Sequence, residues 1–185
     1  MEELRRVGRA LISDADFNGL LLETLTWVSE YIENDEALNF HVLVFYGLPD
    51  GGYNLMVLES PGWDETVIPQ MSAMAAERDE PLAAVFLVSG GTLTPPTAVS
   101  PQTTPADAPR DVPAVIIFGV TLDLRQNRTI VMIEEEDGRR RLGEVTSFPF
   151  IDDGVDTVQN DLLLQFLKRY AEELFGRRGF DLNKR

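Results

Sequence analysis

Three short runs of the chain are almost wholly apolar, and this pattern limits the folds that the chain can adopt. They read FHVLVFYG at 40–47, LAAVFLV at 82–88 and AVIIFGVTL at 114–122. Successive side chains of a strand point to opposite faces, so a strand with two apolar faces has to be covered on both sides. We therefore expect buried strands here, the first of them central in a sheet that carries helices.

The other patterns complete the predicted order of helices and strands. Apolar residues spaced three and four apart predict helices over 15–33, within 65–80 and from about Asp156 to Phe175, with Gly176 just after the last. Pro49 to Gly52 predicts a hairpin turn, and further turns are predicted at 126–127 and 137–138. The chain is expected to be α+β, with a mainly antiparallel sheet of about six strands and helices packed on it.

This order, α-β-β-α-β-loop-β-β-β-α, is similar to that of profilin-like, PAS and roadblock domains, in which a five-stranded sheet carries helices. The similarity lies in the order of elements alone, so it implies a fold and no functional residue. The chain departs from those domains by a sixth strand and by a long loop between the third and fourth strands.

The chain is expected to form one domain over residues 1–185, because 185 residues with 44% hydrophobic content can bury one core. It has no cysteine, which excludes disulfides and thiolate metal sites. No apolar run approaches the length of a signal peptide core or a membrane span, so a cytoplasmic protein without membrane contact is expected.

One long loop interrupts the predicted sheet at residues 90–113. Six of the eleven prolines lie there, among several threonines, and this composition favours extended polyproline-II-like segments. Such segments lose little entropy on docking, which suits recognition by a neighbouring surface. We expect Pro95, Pro96, Pro101 and Pro105 to contact a partner; whether the loop docks on its own domain or on another chain stays open.

The net charge of −15 is unevenly distributed. Residues 10–109 hold fifteen acids and one base, Arg78, whereas the rest of the chain is nearly balanced. A negative field repels phosphate, so nucleic-acid binding is disfavoured. Solubility explains such a charge, and so does a face for a basic partner or a mimic of nucleic acid. The excess of Arg over Lys indicates a GC-rich, prokaryotic genome.

Two candidate catalytic residues have structural explanations. His41, the single histidine, falls inside an apolar strand, which favours a hydrogen-bonded packing role over catalysis. Ser89 precedes two glycines but lacks the motifs of a phosphate loop or a hydrolase elbow. Gly90 and Gly91 are expected instead to let the chain leave the sheet.

Two acidic clusters also have structural explanations. The sequence EEEDGRRR predicts a hairpin in which Glu134, Glu135 and Glu136 face Arg141, Arg140 and Arg139. The cluster Asp152, Asp153 and Asp156 is typical of a turn and a helix cap. As the alternative, these three carboxylates, with Glu144, could hold a metal for hydrolase or nuclease chemistry.

The last predicted helix has an apolar face wider than one sheet requires. The excess is centred on Leu164, Ala171 and Phe175. It has to meet either the first helix, packed alongside on the same face of the sheet, or another subunit or partner. These residues are therefore candidates for a partner-binding site.

No complete catalytic set or cofactor motif emerges, and no metal site or cofactor is expected. The sequence favours a non-catalytic accessory or regulatory protein that acts through protein–protein contacts. Its predicted partner is another protein or a second copy, bound through the C-terminal helix and the Pro/Thr loop. A metal-dependent hydrolase or nuclease and a nucleic-acid-mimicking inhibitor are the two alternatives.

Overall fold

A computed structural model of the protein describes residues 12–34, 38–60, 67–93, 111–149 and 157–177. Six strands form one sheet in the order β2-β1-β3-β4-β5-β6, and every neighbouring pair is antiparallel. The strands are β1 (Phe40–Gly47), β2 (Tyr53–Ser60), β3 (Leu82–Leu93), β4 (Val112–Thr121), β5 (Gln126–Glu136) and β6 (Arg139–Pro149). The helices are α1 (Asp14–Glu33), α2 (Val67–Ala75) and α3 (Thr157–Arg177). The α+β class and the six-stranded antiparallel sheet are confirmed.

The helices cover the two faces of the sheet unequally. Helix α1 lies on one face, where Phe17, Leu20 and Val28 pack against strand residues such as Leu43 and Phe86. Helices α2 and α3 lie together on the other face, over a second core that includes Val42, Val44, Phe118, Phe166 and Tyr170. The central strands β1 and β3 are therefore buried on both faces, as their apolar sequences predict.

Helix α1 begins at a capping box. The Ser13 hydroxyl accepts from the Asp16 backbone N–H at 3.1 Å, and the Asp16 carboxylate accepts from the Ser13 N–H at 3.0 Å. These bonds satisfy backbone donors that the first turn of a helix leaves without partners. Hydrogen bonds from the Ser13 hydroxyl and backbone lower the pKa of Asp16 below its usual range.

Helix α2 is fixed between the sheet and α3 by polar contacts. The Tyr46 hydroxyl donates to the carbonyl of Ala75 at the end of α2 (2.9 Å), and burial raises the pKa of this tyrosine. The Ser72 hydroxyl lies 2.7 Å from the Ile68 carbonyl and 3.3 Å from the Phe166 carbonyl of α3. Helical spacing in the sequence predicts that Met71, Met74 and Ala75 face inward. Met71 and Ala75 do so, but Met74 is 52% exposed, so the prediction for Met74 is wrong.

The β4–β5 turn is formed earlier than the sequence predicts. Residues 126 and 127 belong to β5, and the chain reverses between Thr121 and Arg125. Asp123 fixes this turn, because its carboxylate accepts from the Thr121 hydroxyl and from Nε of Arg125 (3.0 Å).

Arg125 also joins the turn to the start of α1, because it binds Asp14 and donates to the Ile12 carbonyl at 2.8 Å. Leu124 takes the left-handed conformation, with a φ of 63°.

Two predicted boundaries differ from the observed ones. Strand β3 continues to Leu93 and pairs with β4 from Val112, so Gly90 and Gly91 stay in the sheet instead of leaving it. Both ends of the stretch 90–113 are therefore strand, while residues 94–110 lie outside the described residues. Helix α3 runs through Gly176 to Arg177, two residues beyond the predicted end.

One glycine permits α1 to pack closely on the sheet. A Cβ atom added at Gly119 would lie 2.5 Å from Cε1 of Phe86 and 3.1 Å from Cζ of Phe17. The rings of Phe17 and Phe86 stack above this position with centroids 5.5 Å apart. A side chain at residue 119 would thus separate the helix from the strand beneath it.

Replacement of Gly119 by alanine tests this contact. We expect Gly119→Ala to lower the free energy of unfolding by about 1–3 kcal/mol, because the buried Phe86 ring has no room to move. Gly91→Ala is the matched control, since its Cβ would meet only Ile116 at 3.9 Å. Urea unfolding measures both variants, and equal stability of the two would contradict the proposed crowding.

The Asp123 turn predicts a pH dependence of stability. Burial acts to raise the pKa of Asp123, but hydrogen bonds from Thr121 and Arg125 outweigh it and lower the pKa below its usual value. A carboxylate with a lowered folded-state pKa stabilises the fold above its unfolded pKa of about 3.9, and this contribution is lost as the pH falls through the folded-state pKa.

We therefore expect Asp123→Asn to cost about 1–2 kcal/mol at pH 7, since a charge-assisted hydrogen-bond acceptor is lost. The difference from the wild type should disappear as the pH falls from 4 towards 2. Urea titrations at several pH values measure it. Asp79→Asn, at an exposed position, is the control. A cost at Asp123 that stays constant with pH would show that its charge does not stabilise the turn.

Candidate partner-binding surface

Several residues singled out in the sequence fall outside the described part of the chain. Pro95, Pro96, Pro101 and Pro105 lie there, as do Asp152, Asp153 and Asp156. Within the described ranges, no group of three or more His, Asp and Glu residues is arranged to hold a metal ion. The roles suggested for the prolines and the aspartates stay predictions.

The wide apolar face of α3 meets a helix that the sequence analysis did not consider. Helix α1 lies on the opposite face of the sheet, and α2 is the helix that packs beside α3. Ala171 is buried within the chain and Leu164 is half-buried, while the Phe175 side chain is outside the described set. Partner binding by these three residues stays a prediction.

His41 lies in an aromatic cluster beneath α1. Its ring is 1% exposed and stands edge-on to Trp27 and Tyr31, each with a centroid distance of 5.0 Å. Nδ1 lies 3.2 Å from the Asn39 carbonyl, and Nε2 lies 3.7 Å from a carboxylate oxygen of Glu59. This environment indicates a packing role for His41, because burial shields its ring from any substrate in solution.

Two open depressions with described linings contain ion pairs. One, of about 350 Å³, lies between α1 and the β5–β6 pair, and its Arg125 is engaged by Asp14 and Asp123. The other, of about 340 Å³, lies between α2 and α3, where Arg169 pairs with Glu172 at 3.1 Å. Neither lining contains the histidine, which packs in the aromatic cluster.

The edge strand β2 presents an apolar row outside the two cores. Leu55 and Val57 are each 40% exposed, and both lie on the face of the sheet that carries α1. Tyr53 and Glu59 continue the row at its two ends. The row is open because α1, which packs on interior strands and on Tyr53, leaves Leu55 and Val57 exposed. Two exposed aliphatic side chains at alternate positions of an edge strand are a feature that folded chains usually avoid.

The backbone groups of the same four residues also point outward. Leu48 N donates to Gly52 O across the hairpin at 2.8 Å, and Gly47 N donates to Pro81 O on the opposite side of β1. Hydrogen bonding alternates along an antiparallel pair, so Asn54, Met56 and Leu58 bond to β1. The N–H and C=O groups of the alternate residues Tyr53, Leu55, Val57 and Glu59 face the side on which the structure describes no further strand.

Acidic residues of α1 lie near the Tyr53 end of this row. Asp16, Glu23 and Glu30 recur every seven residues, so they lie on one side of the helix at intervals of about 10 Å. Burial raises the pKa of Tyr53, and the nearby carboxylates of Asp16 and Glu23 raise it further. The start of β2 is therefore within the field of this acidic side, and α1 contains no Lys or Arg. We call the row on β2 with Asp16, Glu23 and Glu30 the β2–α1 surface.

The opposite edge of the sheet is protected against pairing. The predicted cross-strand pairs are confirmed: Glu134, Glu135 and Glu136 lie opposite Arg141, Arg140 and Arg139. Strand β6 also contains a bulge, since Gly143 and Glu144 together oppose Met132, and it ends at Pro149. Charges, bulges and proline all discourage the addition of another strand. Strand β2 has none of these except Glu59.

The β2–α1 surface was not predicted from the sequence. The hairpin of β1 and β2 was expected, and β1 was expected to be central, which already places β2 beside it. The available signal was the stretch YNLMVLE, which carries aliphatic residues on both faces and one charge. What the sequence could not show is that α1 leaves Leu55 and Val57 exposed.

No helix of the described residues is long and apolar enough to cross a membrane. Comparison with known proteins gives no relative from which a role could be transferred: no protein-family model, curated protein or solved structure matches the chain. The function has to be argued from the geometry of the β2–α1 surface.

Proposed function

We propose that the protein is a non-catalytic binding protein that acts through protein–protein contacts at the β2–α1 surface. The observation that carries the proposal is the exposed pair Leu55 and Val57 on an edge strand that lacks the protection present on β6. Exposed apolar side chains rimmed by polar groups are typical of interaction sites. Strand β2 combines them with outward backbone groups and with acidic residues of α1 near its Tyr53 end.

The described part of the chain supports binding more than catalysis. Its histidine is buried between aromatic rings, and Arg125, in the depression between α1 and the β5–β6 pair, is neutralised by two carboxylates. The charged groups of β5 and β6 pair across the strands, as in Arg141 with Glu134 (3.6 Å). These arrangements stabilise the fold, whereas Leu55 and Val57 of the β2–α1 surface are exposed.

Native mass spectrometry of the protein purified gently from its host tests this function. We expect the wild type to be held in a complex with another protein, and the double variant Leu55→Lys/Val57→Lys to be released from it. Lysine on an edge strand preserves the strand but opposes pairing and apolar contact. The melting temperature should change by only a few degrees, because both positions are partly solvated.

The control is Val145→Lys, which makes the same kind of change at a 47% exposed position on the opposite edge strand. This variant should keep the complex. A wild type that is strictly monomeric without partner, or a β2 double variant that keeps its partner, would show that the proposed function is wrong.

A further inference from the structure

We infer that the β2 edge takes up an extended segment of a partner protein, with Lys or Arg at alternate positions, as a seventh strand of the sheet. This inference rests on the protein-binding function proposed above and specifies the mode of binding and the chemistry of the partner. It follows from the direction of the backbone groups of β2, from the exposed row beside them and from the charge of α1.

The outward backbone groups of β2 are arranged to pair with a further strand. Tyr53, Leu55, Val57 and Glu59 direct N–H and C=O groups outward at every second residue, which is the pattern that an antiparallel strand completes. Strand addition of this kind takes its affinity from main-chain hydrogen bonds and its specificity from alternate side chains. The specificity of this edge therefore depends on what lies beside Leu55 and Val57.

The side chains of the incoming strand that point towards α1 meet two environments. Close to the backbone they contact Leu55 and Val57, which are apolar. At the Tyr53 end of the row they enter the field of Asp16 and Glu23. Lysine and arginine match both environments, because their aliphatic stems cover apolar surface while their charged heads reach carboxylates. A strand places alternate residues on one face, so basic residues at every second position would all face α1.

Charge also selects against a second copy of the protein in this site. Pairing of two β2 strands would bring together two α1 helices, each with five acids and no base. The net charge of −15 on each chain adds to this repulsion. A basic segment of a different protein removes the repulsion and gains attraction, so we assign the site to such a partner.

Three capped synthetic octapeptides test the inference on the full-length protein. The first alternates valine and lysine, the second has the same composition in two blocks of four, and the third alternates valine and glutamate. Fluorescence anisotropy should show that the alternating basic peptide binds at least tenfold more tightly than either of the others. Its affinity should fall as the salt concentration rises, because exposed charges are screened. Equal binding of the block peptide would overturn the inference.

Charge reversal at one position gives a matched comparison. Glu23→Lys should weaken binding of the alternating basic peptide about fivefold, as the loss of a surface ion pair and a new repulsion predict. Glu173→Lys changes the net charge equally, but Glu173 is an exposed residue of α3, on the other face of the sheet. This variant should leave the affinity nearly unchanged. Equal effects of the two variants would mean that only net charge attracts the peptide.

Amide hydrogen exchange followed by NMR gives the most specific readout. In the free protein, the amides of Leu55 and Val57 should exchange rapidly, and those of Asn54 and Met56 slowly, because the latter bond to β1. Addition of the alternating basic peptide should slow Leu55 and Val57 at least tenfold. Unchanged exchange at Leu55 and Val57 with peptide bound would rule out strand addition.

The free protein gives two further outcomes that would overturn the inference. Slow exchange at Leu55 and Val57 in a monomer would mean that another segment of this chain occupies the edge. Slow exchange in a dimer that dissociates on Leu55→Lys/Val57→Lys would assign the edge to a second copy.

These outcomes are separate from failure of the proposed function. If a native complex depends on Leu55 and Val57 but forms without strand addition, the proposed function holds and the proposed mode of binding is wrong. A protein that forms no complex in its host would remove the function itself.

Discussion

Burial of β1 and β3 on both faces is the constraint on which the rest of the structure depends. Interior strands without a polar face need apolar cover above and below the sheet, and the chain supplies it with α1 on one side and α2 with α3 on the other. This cover extends to β6, which α1 contacts. It is incomplete at both outer strands, where Leu55 and Val57 of β2 and Val145 of β6 are exposed.

The two outer strands deal with this exposure in opposite ways. Strand β6 carries arginines paired with the glutamates of β5, and a bulge interrupts its pairing. Strand β2 keeps eight regular residues in register with β1 and exposes two aliphatic side chains. Edge protection is a general requirement for keeping sheets monomeric. Because β6 has this protection, its absence is specific to β2 and is not a general property of the sheet edges.

The sequence predicted those features that depend on local pattern. The two apolar faces of β1 indicated a central strand, and the order of charges around Asp137-Gly138 indicated the pairs between β5 and β6. Features that depend on contacts distant in sequence were not predictable. The β4–β5 turn was misplaced because Asp123 and Arg125 form it together with Asp14, about 110 residues away.

The arrangement of the helices shows the same limit. The width of the apolar face of α3 correctly indicated a second contact, but its periodicity carries no information on which helix provides it. Met74 was expected to be buried because it follows Met71 at helical spacing, yet only one side of the short helix α2 meets the sheet and α3. The β2–α1 surface was missed for the same reason, since it is defined by where α1 ends its coverage.

The charge of α1 has a consequence for the helix itself. Glu30 and Glu33 lie in its last turn, which contains no basic residue, although the carboxyl end of a helix dipole is negative and favours cations. Packing of Val28 and Ile32 on the sheet therefore has to hold this end against its own electrostatics. A cation beside Glu30 and Glu33 would relieve this repulsion, so the carboxyl end of α1 is stabilised by added positive charge.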